Sequence, residues 1–273
     1  VGTVVRVGES AEQSLIGQRA MIDGWLRDWD DPLNRSKAGY FGSECDGGYA
    51  QYTKVSHRQV HPVDATMSDA ELATFACSYV TAENMLNRGA VTAGDTVLVT
   101  GASGGVGSAL IQLANRRGAQ CVALCGADKA DAVKAVGPLA VIDRACADLG
   151  SALRDAIGKD SVDVVADVVG GTLWPQLISA LARGGRYTCA GAIAGPMVEF
   201  DLRTFYLRDL TFTGATVPPP GVFGDLVGYI ERGEIRPLLA ATYALEDFHA
   251  AQQAFIEKRH VGNIVTEPFR SDP

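Results

Sequence analysis

Thr100 to Gly107 reads TGASGGVG, the stretch of this chain whose residue types speak most directly of chemistry. It follows the apolar run DTVLVT (95–100) and opens into SALIQLANRRGA, so a strand, a glycine turn and a helix are expected in that order. Such a turn presents bare N–H groups and the positive end of a helix dipole, which suit a phosphate or pyrophosphate. Gly104 allows close approach of backbone to the phosphates, and Gly107 allows the helix to lie tightly against the strand. Ala102 stands where a first glycine is usual, and Gly101 before it supplies the turn. Gly101, Ala102, Ser103, Gly104, Gly105, Val106 and Gly107 are therefore the candidate phosphate-binding residues.

The elements around this turn follow a βα alternation from Gly94 onward. Strand DTVLVT leads to a helix over 105–117, CVALCG to a helix over 128–136, and AVID to one over 148–157. VDVVADVV leads to a helix over 173–182, and GRYTCAGA follows. Continuous apolar strands fit a parallel sheet covered by helices on both faces. Upstream, residues 1 to about 75 read as short strands, with VVRVG, QRAMIDGWL, GYAQYTKV and RQVHPV punctuated by glycine and proline. Ser68 and Glu71 form a capping box for a helix through Leu86, with Leu72, Phe75 and Tyr79 on one face. After LTFTGATV and three prolines (218–220) come helical stretches near 222–232 and 246–258 and a last strand, GNIVT. Strand character begins at Val1, so upstream residues are expected to be missing.

Composition narrows the function classes. The 273 residues are 47% hydrophobic and 21% charged, enough apolar material for sizeable cores in one or two domains. A net charge of −8 would be repelled by phosphate backbones and anionic lipid, so neither nucleic acid nor membrane is an expected partner. No apolar run reaches the roughly 20 residues of a membrane span, and no charged-then-apolar leader is read at the start. The six cysteines include no CxxC pair, which suits reduced thiols and a cytoplasmic location.

TGxxxGxG is also the spelling of short-chain dehydrogenases, but two features exclude that reading. There the motif lies on the first strand, whereas residues 1–94 precede it here. Those enzymes also need Tyr-x-x-x-Lys, and none of the eight tyrosines has a lysine four residues on; Tyr187 meets Gly191 and Tyr206 meets Leu210. The chain instead resembles the medium-chain dehydrogenase/reductase superfamily, the zinc-type alcohol dehydrogenases and their quinone oxidoreductase relatives. The resemblance rests on GGYAQYTKV (47–55), CSYVTAENML (77–86), residues 93–119, VDVVADVVGG (162–171), GGRYTCAGA (184–192) and HVGNIVT (260–266). It implies an α/β fold: a GroES-like β domain over 1–80 and 215–273, and a Rossmann-type doubly wound domain over 81–214. It also implies a further N-terminal stretch ahead of Val1.

The cofactor implied is a nicotinamide dinucleotide. An acidic residue ending the second strand would select NAD by holding the ribose hydroxyls. That place falls on Leu124-Cys125-Gly126, neutral and small, which leaves room for the 2′-phosphate of NADP; Lys129 or Arg144 could meet its charge. Asp128 would serve NAD if the strand ended later. By resemblance, Asp167-Val168 and Gly191-Ala192-Ile193 line the nicotinamide side, Thr81 lies near it, and Asn263 takes the place of a common lysine near the cofactor. Asp167 reads equally as a capping residue.

The family divides over catalytic zinc. Cys77, with Thr81-Ala82 in Cys-x-x-x-Thr-Ala spacing, aligns with one zinc ligand; the other two would lie upstream, and the alternative is an inert core cysteine. Cys45 alone stands where a structural zinc lobe would need four cysteines. His57 and His61, four apart, read as packing or surface residues on one strand face, and Cys121 and Cys125 as core. Trp25, Trp29, Tyr40 and Phe41 either floor a substrate pocket or anchor their loop. The expected function is NADP(H)-dependent hydride transfer, in a cleft between domains, to a carbonyl, enone or quinone. A zinc-dependent alcohol dehydrogenase and a non-catalytic NADPH-binding protein are the alternatives. The catalytic donor is expected upstream of Val1, and a homodimer is implied through the edge strand near LTFTGAT.

Overall fold

The computed structural model describes residues 1–268, which divide into two compact units. One comprises residues 1–80 with those from 217 on; the other comprises Thr81–Thr216.

The second unit is built on six parallel strands: β1 (Thr96–Val99), β2 (Gln120–Cys125), β3 (Ala140–Asp143), β4 (Val162–Asp167), β5 (Leu181–Cys189) and β6 (Thr211–Gly214). Their spatial order is β3-β2-β1-β4-β5-β6. The order reverses between β1 and β4, the switch point where ligands of such sheets gather at the strands' carboxyl ends. Helices α1 (Gly105–Arg116), α2 (Ala130–Lys134), α3 (Leu149–Ile157) and α4 (Trp174–Ser179) link successive strands. β1, β2 and β4 are buried almost throughout because helices cover both their faces. Leu98, Val122, Leu124, Leu153, Val165, Trp174 and Leu177 form one cluster in that core.

Some boundaries differ from expectation for physical reasons. The helix expected through residue 182 ends at Ser179, because Leu181 already pairs with Val162 in β5. The helix expected over 128–136 becomes a 3₁₀ turn, Ala127–Lys129, followed by the short α2. Helix α5 (Leu202–Leu207), capped by Asp201 accepting from the Arg203 N–H, has no apolar face to announce it: Leu202, Tyr206 and Leu207 are exposed, and Phe205 alone of its large apolar side chains packs against the core.

The first unit holds a three-stranded antiparallel sheet of Gly2–Thr3, Arg19–Ile22 and Val60–Pro62. The strand expected from Val1 to Val7 shrinks to Gly2–Thr3, and Val5 is exposed. GYAQYTKV forms no strand: Tyr49 and Tyr52 are exposed, and Tyr49 leans on Phe248 with ring centroids 4.7 Å apart. Alternation alone cannot make a strand without a neighbour to take its hydrogen bonds. The capping box is formed, with Ser68 accepting from the Glu71 N–H and Glu71 accepting back from the Ser68 N–H. The following helix breaks at Thr74, giving Asp69–Ala73 and Phe75–Arg88, with Leu72, Phe75 and Tyr79 buried as the spacing requires. Leu239–Ala244, unread in the sequence, pairs in parallel with Asn263–Glu267.

Candidate nucleotide-binding site

The chain leaves β1 at Val99 and turns at Gly101, which has a φ of +58°, a conformation that glycine adopts freely. The Gly104 N–H donates to the Gly101 carbonyl at 2.9 Å and closes the turn. Gly104 then caps α1 with no side chain, so the helix's first N–H groups are left for an external acceptor. Gly107 fixes how near the helix comes. A Cβ there would stand 2.6 Å from Ala102 Cα and closer still to the Gly101 carbonyl oxygen. Ala102 is fully buried, its N–H donating to Leu124 at 3.2 Å, which ties the turn to β2.

Two further turns stand beside this one, at the ends of the adjacent β4 and β5. Gly170 and Gly171 have φ of +61° and +66°. The Ala194 N–H donates to Val169 at 2.8 Å and the Gly171 N–H to Gly195 at 3.0 Å, zipping the two turns together. A Cβ on Gly191 would lie 2.9 Å from the Val168 carbonyl oxygen. Gly101–Gly107, Asp167-Val168 and Gly191-Ala192-Ile193 therefore converge at the carboxyl end of one sheet. Ile193 is 74% exposed there, open to a ligand. Asp167 is fully buried, and its carboxylate accepts from four donors: the Thr100 and Tyr187 hydroxyls and the N–H groups of Val169 and Gly170.

At the ends of β2 and β3 the groups relevant to the adenosine end gather around Gly126. A Cβ there would lie 2.5 Å from Asp128 Oδ1 and 3.9 Å from Arg144 Nε. The Arg144 N–H donates to the Cys125 carbonyl at 2.8 Å, which places the guanidinium at this edge. Lys129 closes the short 3₁₀ turn, its N–H donating to Gly126 at 3.0 Å.

Other expected site residues fall elsewhere. Thr81 is half-buried on the helix Phe75–Arg88. Asn263, in the first unit, accepts through Oδ1 from the Ser78 hydroxyl at 2.7 Å and buries an unpartnered Nδ2. Cys77 is exposed, not a core residue. His57 and His61 do not share a strand: His57 starts a 3₁₀ turn, and His61 packs on Phe223 with centroids 4.8 Å apart, its imidazole pKa lowered by burial. Trp25 and Tyr40 pack at 4.4 Å with their rings tilted by 49° across paired strands, and Arg58 lies over Trp29, contacts that tie these three aromatics to the surrounding chain. Cys121 and Cys125 are buried in β2, the Cys121 thiol pushed up to about 12 by burial.

Comparison with known proteins identifies this arrangement. The family described as zinc-binding dehydrogenase matches residues 105–232. A solved structure from Sinorhizobium meliloti 1021, provisionally assigned as an alcohol dehydrogenase, superposes with a TM-score of 0.93 at 47% identity. That alignment covers 97% of this chain and 73% of the other. The chain belongs to the medium-chain dehydrogenase/reductase superfamily. An acryloyl-coenzyme A reductase of Metallosphaera sedula is 28% identical over 97% of this chain and 80% of its own. A 2-octenoyl-CoA carboxylase reductase solved with NADP and 2-octenoyl-CoA has a TM-score of 0.84 at 25% identity, over 92% of this chain and 63% of its own. This medium-chain protein is an oxidoreductase that uses a nicotinamide nucleotide.

The family's description also implies zinc. Among the described residues no group of three His, Cys, Asp or Glu side chains converges in a way that could hold a metal, and Cys77 has no such companions. The described residues by themselves do not make a zinc site. No helix among the described residues is long and apolar enough to cross a membrane.

Proposed function

We propose that this oxidoreductase uses NADP(H) and moves hydride between the nicotinamide and a carbonyl compound or a carbon–carbon double bond conjugated with a carbonyl. The observation that carries the nucleotide reading is the side-chain-free mouth of α1, held open by Gly104 and pressed onto the sheet through Gly107. Aligned N–H groups there favour a pyrophosphate by hydrogen bonding and by the helix dipole together. When bound, the nicotinamide supplies or takes the hydride. The chain's own residues bind and orient: the α1 mouth grips the diphosphate, and the turns at Val168–Gly171 and Gly191–Gly195 border the nicotinamide end. Positioning of this kind carries much of the rate advantage in hydride transfer.

NADP is favoured by the Arg144 guanidinium, whose Nε lies 3.9 Å from where a Gly126 Cβ would stand and which can meet a 2′-phosphate through paired hydrogen bonds. Likeness to the reductase solved with NADP supports the same choice. A second reading, NAD, is favoured by Asp128, whose carboxylate lies against Gly126 and could accept from ribose hydroxyls. Calorimetric titration of both nucleotides separates them. Arg144→Ala is expected to weaken NADPH about ten-fold or more and leave NADH nearly unchanged. A wild-type preference for NADH that Asp128→Asn abolishes would establish the second reading. Turnover is checked by NADPH oxidation with an enoyl thioester, an aldehyde and a quinone; the enoyl thioester is expected to react, by likeness to the acyl-CoA reductases.

A second copy of the chain is the proposed partner. β6 is the last strand of the sheet, with its outer edge free of a strand neighbour among the described residues. Beside it in sequence, Met197, Leu202, Tyr206 and Leu207 are exposed. An open edge next to apolar side chains suits strand pairing across a twofold axis.

A further inference from the structure

Next to the glycine turn lies a buried polar cluster centred on Asp167. Asp167 ends β4 with no exposed surface. Its Oδ1 accepts from the Thr100 hydroxyl at 2.6 Å and from the N–H groups of Val169 at 2.8 Å and Gly170 at 3.2 Å. Its Oδ2 accepts from the Tyr187 hydroxyl at 2.6 Å and from the Gly170 N–H at 3.1 Å. Thr100 Oγ1 in turn accepts from the Val168 N–H at 3.0 Å. The donors to this carboxylate are hydroxyls and amides, none of them a cation.

We propose that Thr100 and Tyr187 are positioning residues for nucleotide binding, acting through Asp167 to lock the phosphate turn onto the turn after β4. This rests on the nucleotide reading given above. Thr100 immediately precedes Gly101, so fixing its hydroxyl fixes the start of the phosphate turn. Gly101 lies directly on the other turn: a Cβ there would stand 3.0 Å from Val168 Cγ2 and 3.4 Å from Val169 Cγ2. Movement of Val168–Gly170 would therefore press on Gly101, and through Gly101 on Gly107 and the mouth of α1. Tyr187 comes from β5, so three strand ends meet at one carboxylate. Burial, then the hydrogen bond to Asp167, raises the Tyr187 phenol well above its ordinary range and keeps it a donor.

A buried carboxylate is a costly way to hold a core that leucines could fill, unless it orders something apolar packing cannot. Here its bonds go to the turns that carry the left-handed glycines Gly101, Gly170 and Gly171, where hydrogen-bond direction sets backbone geometry. Deleting one donor leaves a lone pair unsatisfied in the interior, and the turns relax to find another.

The test uses the full chain and three variants, Thr100→Val, Thr100→Ser and Tyr187→Phe. NADPH affinity is read by calorimetry, and KM for NADPH and kcat with the best substrate found. Thr100→Val is expected to weaken NADPH about ten-fold, the effect of one lost hydrogen bond to a charged acceptor. Thr100→Ser, which restores the hydroxyl, is expected to return affinity to within about two-fold of wild type, and Tyr187→Phe to weaken it by roughly five- to ten-fold. KM should follow affinity while kcat at saturating nucleotide moves less than about two-fold. Wild-type affinity in both Thr100→Val and Tyr187→Phe would overturn the proposal. So would a serine variant as impaired as the valine one, or losses confined to kcat. If Thr100→Val does not fold, Tyr187→Phe, lacking one oxygen, decides alone. Wild type is titrated first: if it binds neither NADPH nor NADH, the nucleotide reading falls and takes this proposal with it, a result distinct from equal binding by wild type and variants.

Discussion

Gly107 shows how much a single hydrogen atom in place of a side chain decides. Its Cα faces the Gly101 carbonyl and Ala102, and the space there admits no methyl. Gly107→Ala is expected to push α1 off the turn, lowering stability by about 1–3 kcal/mol as overpacking does. Nucleotide affinity should fall more than stability, by at least about ten-fold, because the helix mouth is displaced from the phosphates it would bind. Chemical denaturation and nucleotide titration of the same variant check the two parts. Equal affinity in Gly107→Ala and wild type would mean that the α1 mouth is not the diphosphate site. Gly158, whose absent Cβ would meet nothing within 4 Å, is a suitable control for generic effects, with its own cost from a φ of +72°.

At the scale of elements, the capping box at Ser68 is a local device whose energetics can be isolated. Ser68 accepts from the Glu71 N–H at 3.2 Å, and Glu71 Oε2 accepts from the Ser68 N–H and hydroxyl at 2.8 Å each. Those bonds, the backbone one first, hold the Glu71 carboxyl below its ordinary range. A depressed carboxylate contributes stability above its unfolded-state value and loses it as pH falls through the folded one. Ser68→Ala is expected to cost about 1 kcal/mol at neutral pH, the usual worth of an N-cap. The gap between variant and wild type should narrow once acid protonates Glu71. Urea titrations at pH 7 and pH 3.5 measure it; a gap that is constant with pH would exclude the ionised carboxylate from the cap.

For the whole molecule, two expectations concern association and ligand linkage. Replacing Leu202 and Leu207 together by glutamate puts charge on the exposed face next to β6 and is expected to convert a dimer to a monomer. Light scattering on a sizing column would show the mass fall from twice the chain mass to one. A wild type already monomeric at micromolar concentration would sink the dimer. NADPH at about a hundred times its dissociation constant should add close to 2.7 kcal/mol of stability. That would raise the melting temperature by several degrees, while inorganic phosphate at the same concentration would not.

Much of this protein was legible without coordinates. The order of strands and helices from Gly94 on, the glycine turn and the capping box are local: period, punctuation and capping chemistry operate within a few residues. The residues expected to sit at the ends of β1, β4 and β5 could be named because parallel sheets present their ligands there. What escaped depended on partners far along the chain. GYAQYTKV alternates like a strand yet has no strand neighbour among the described residues, and Leu239–Ala244 becomes a strand only because Asn263–Glu267 lies beside it. Asp167 could be named from its place at a strand end, but its donors could not: the tertiary structure brings Thr100 and Tyr187 to its carboxylate across 67 and 20 residues of chain. Spacing along a chain fixes what a residue's own turn or helix can do; which distant donors meet a buried charge is decided when the sheet closes around it.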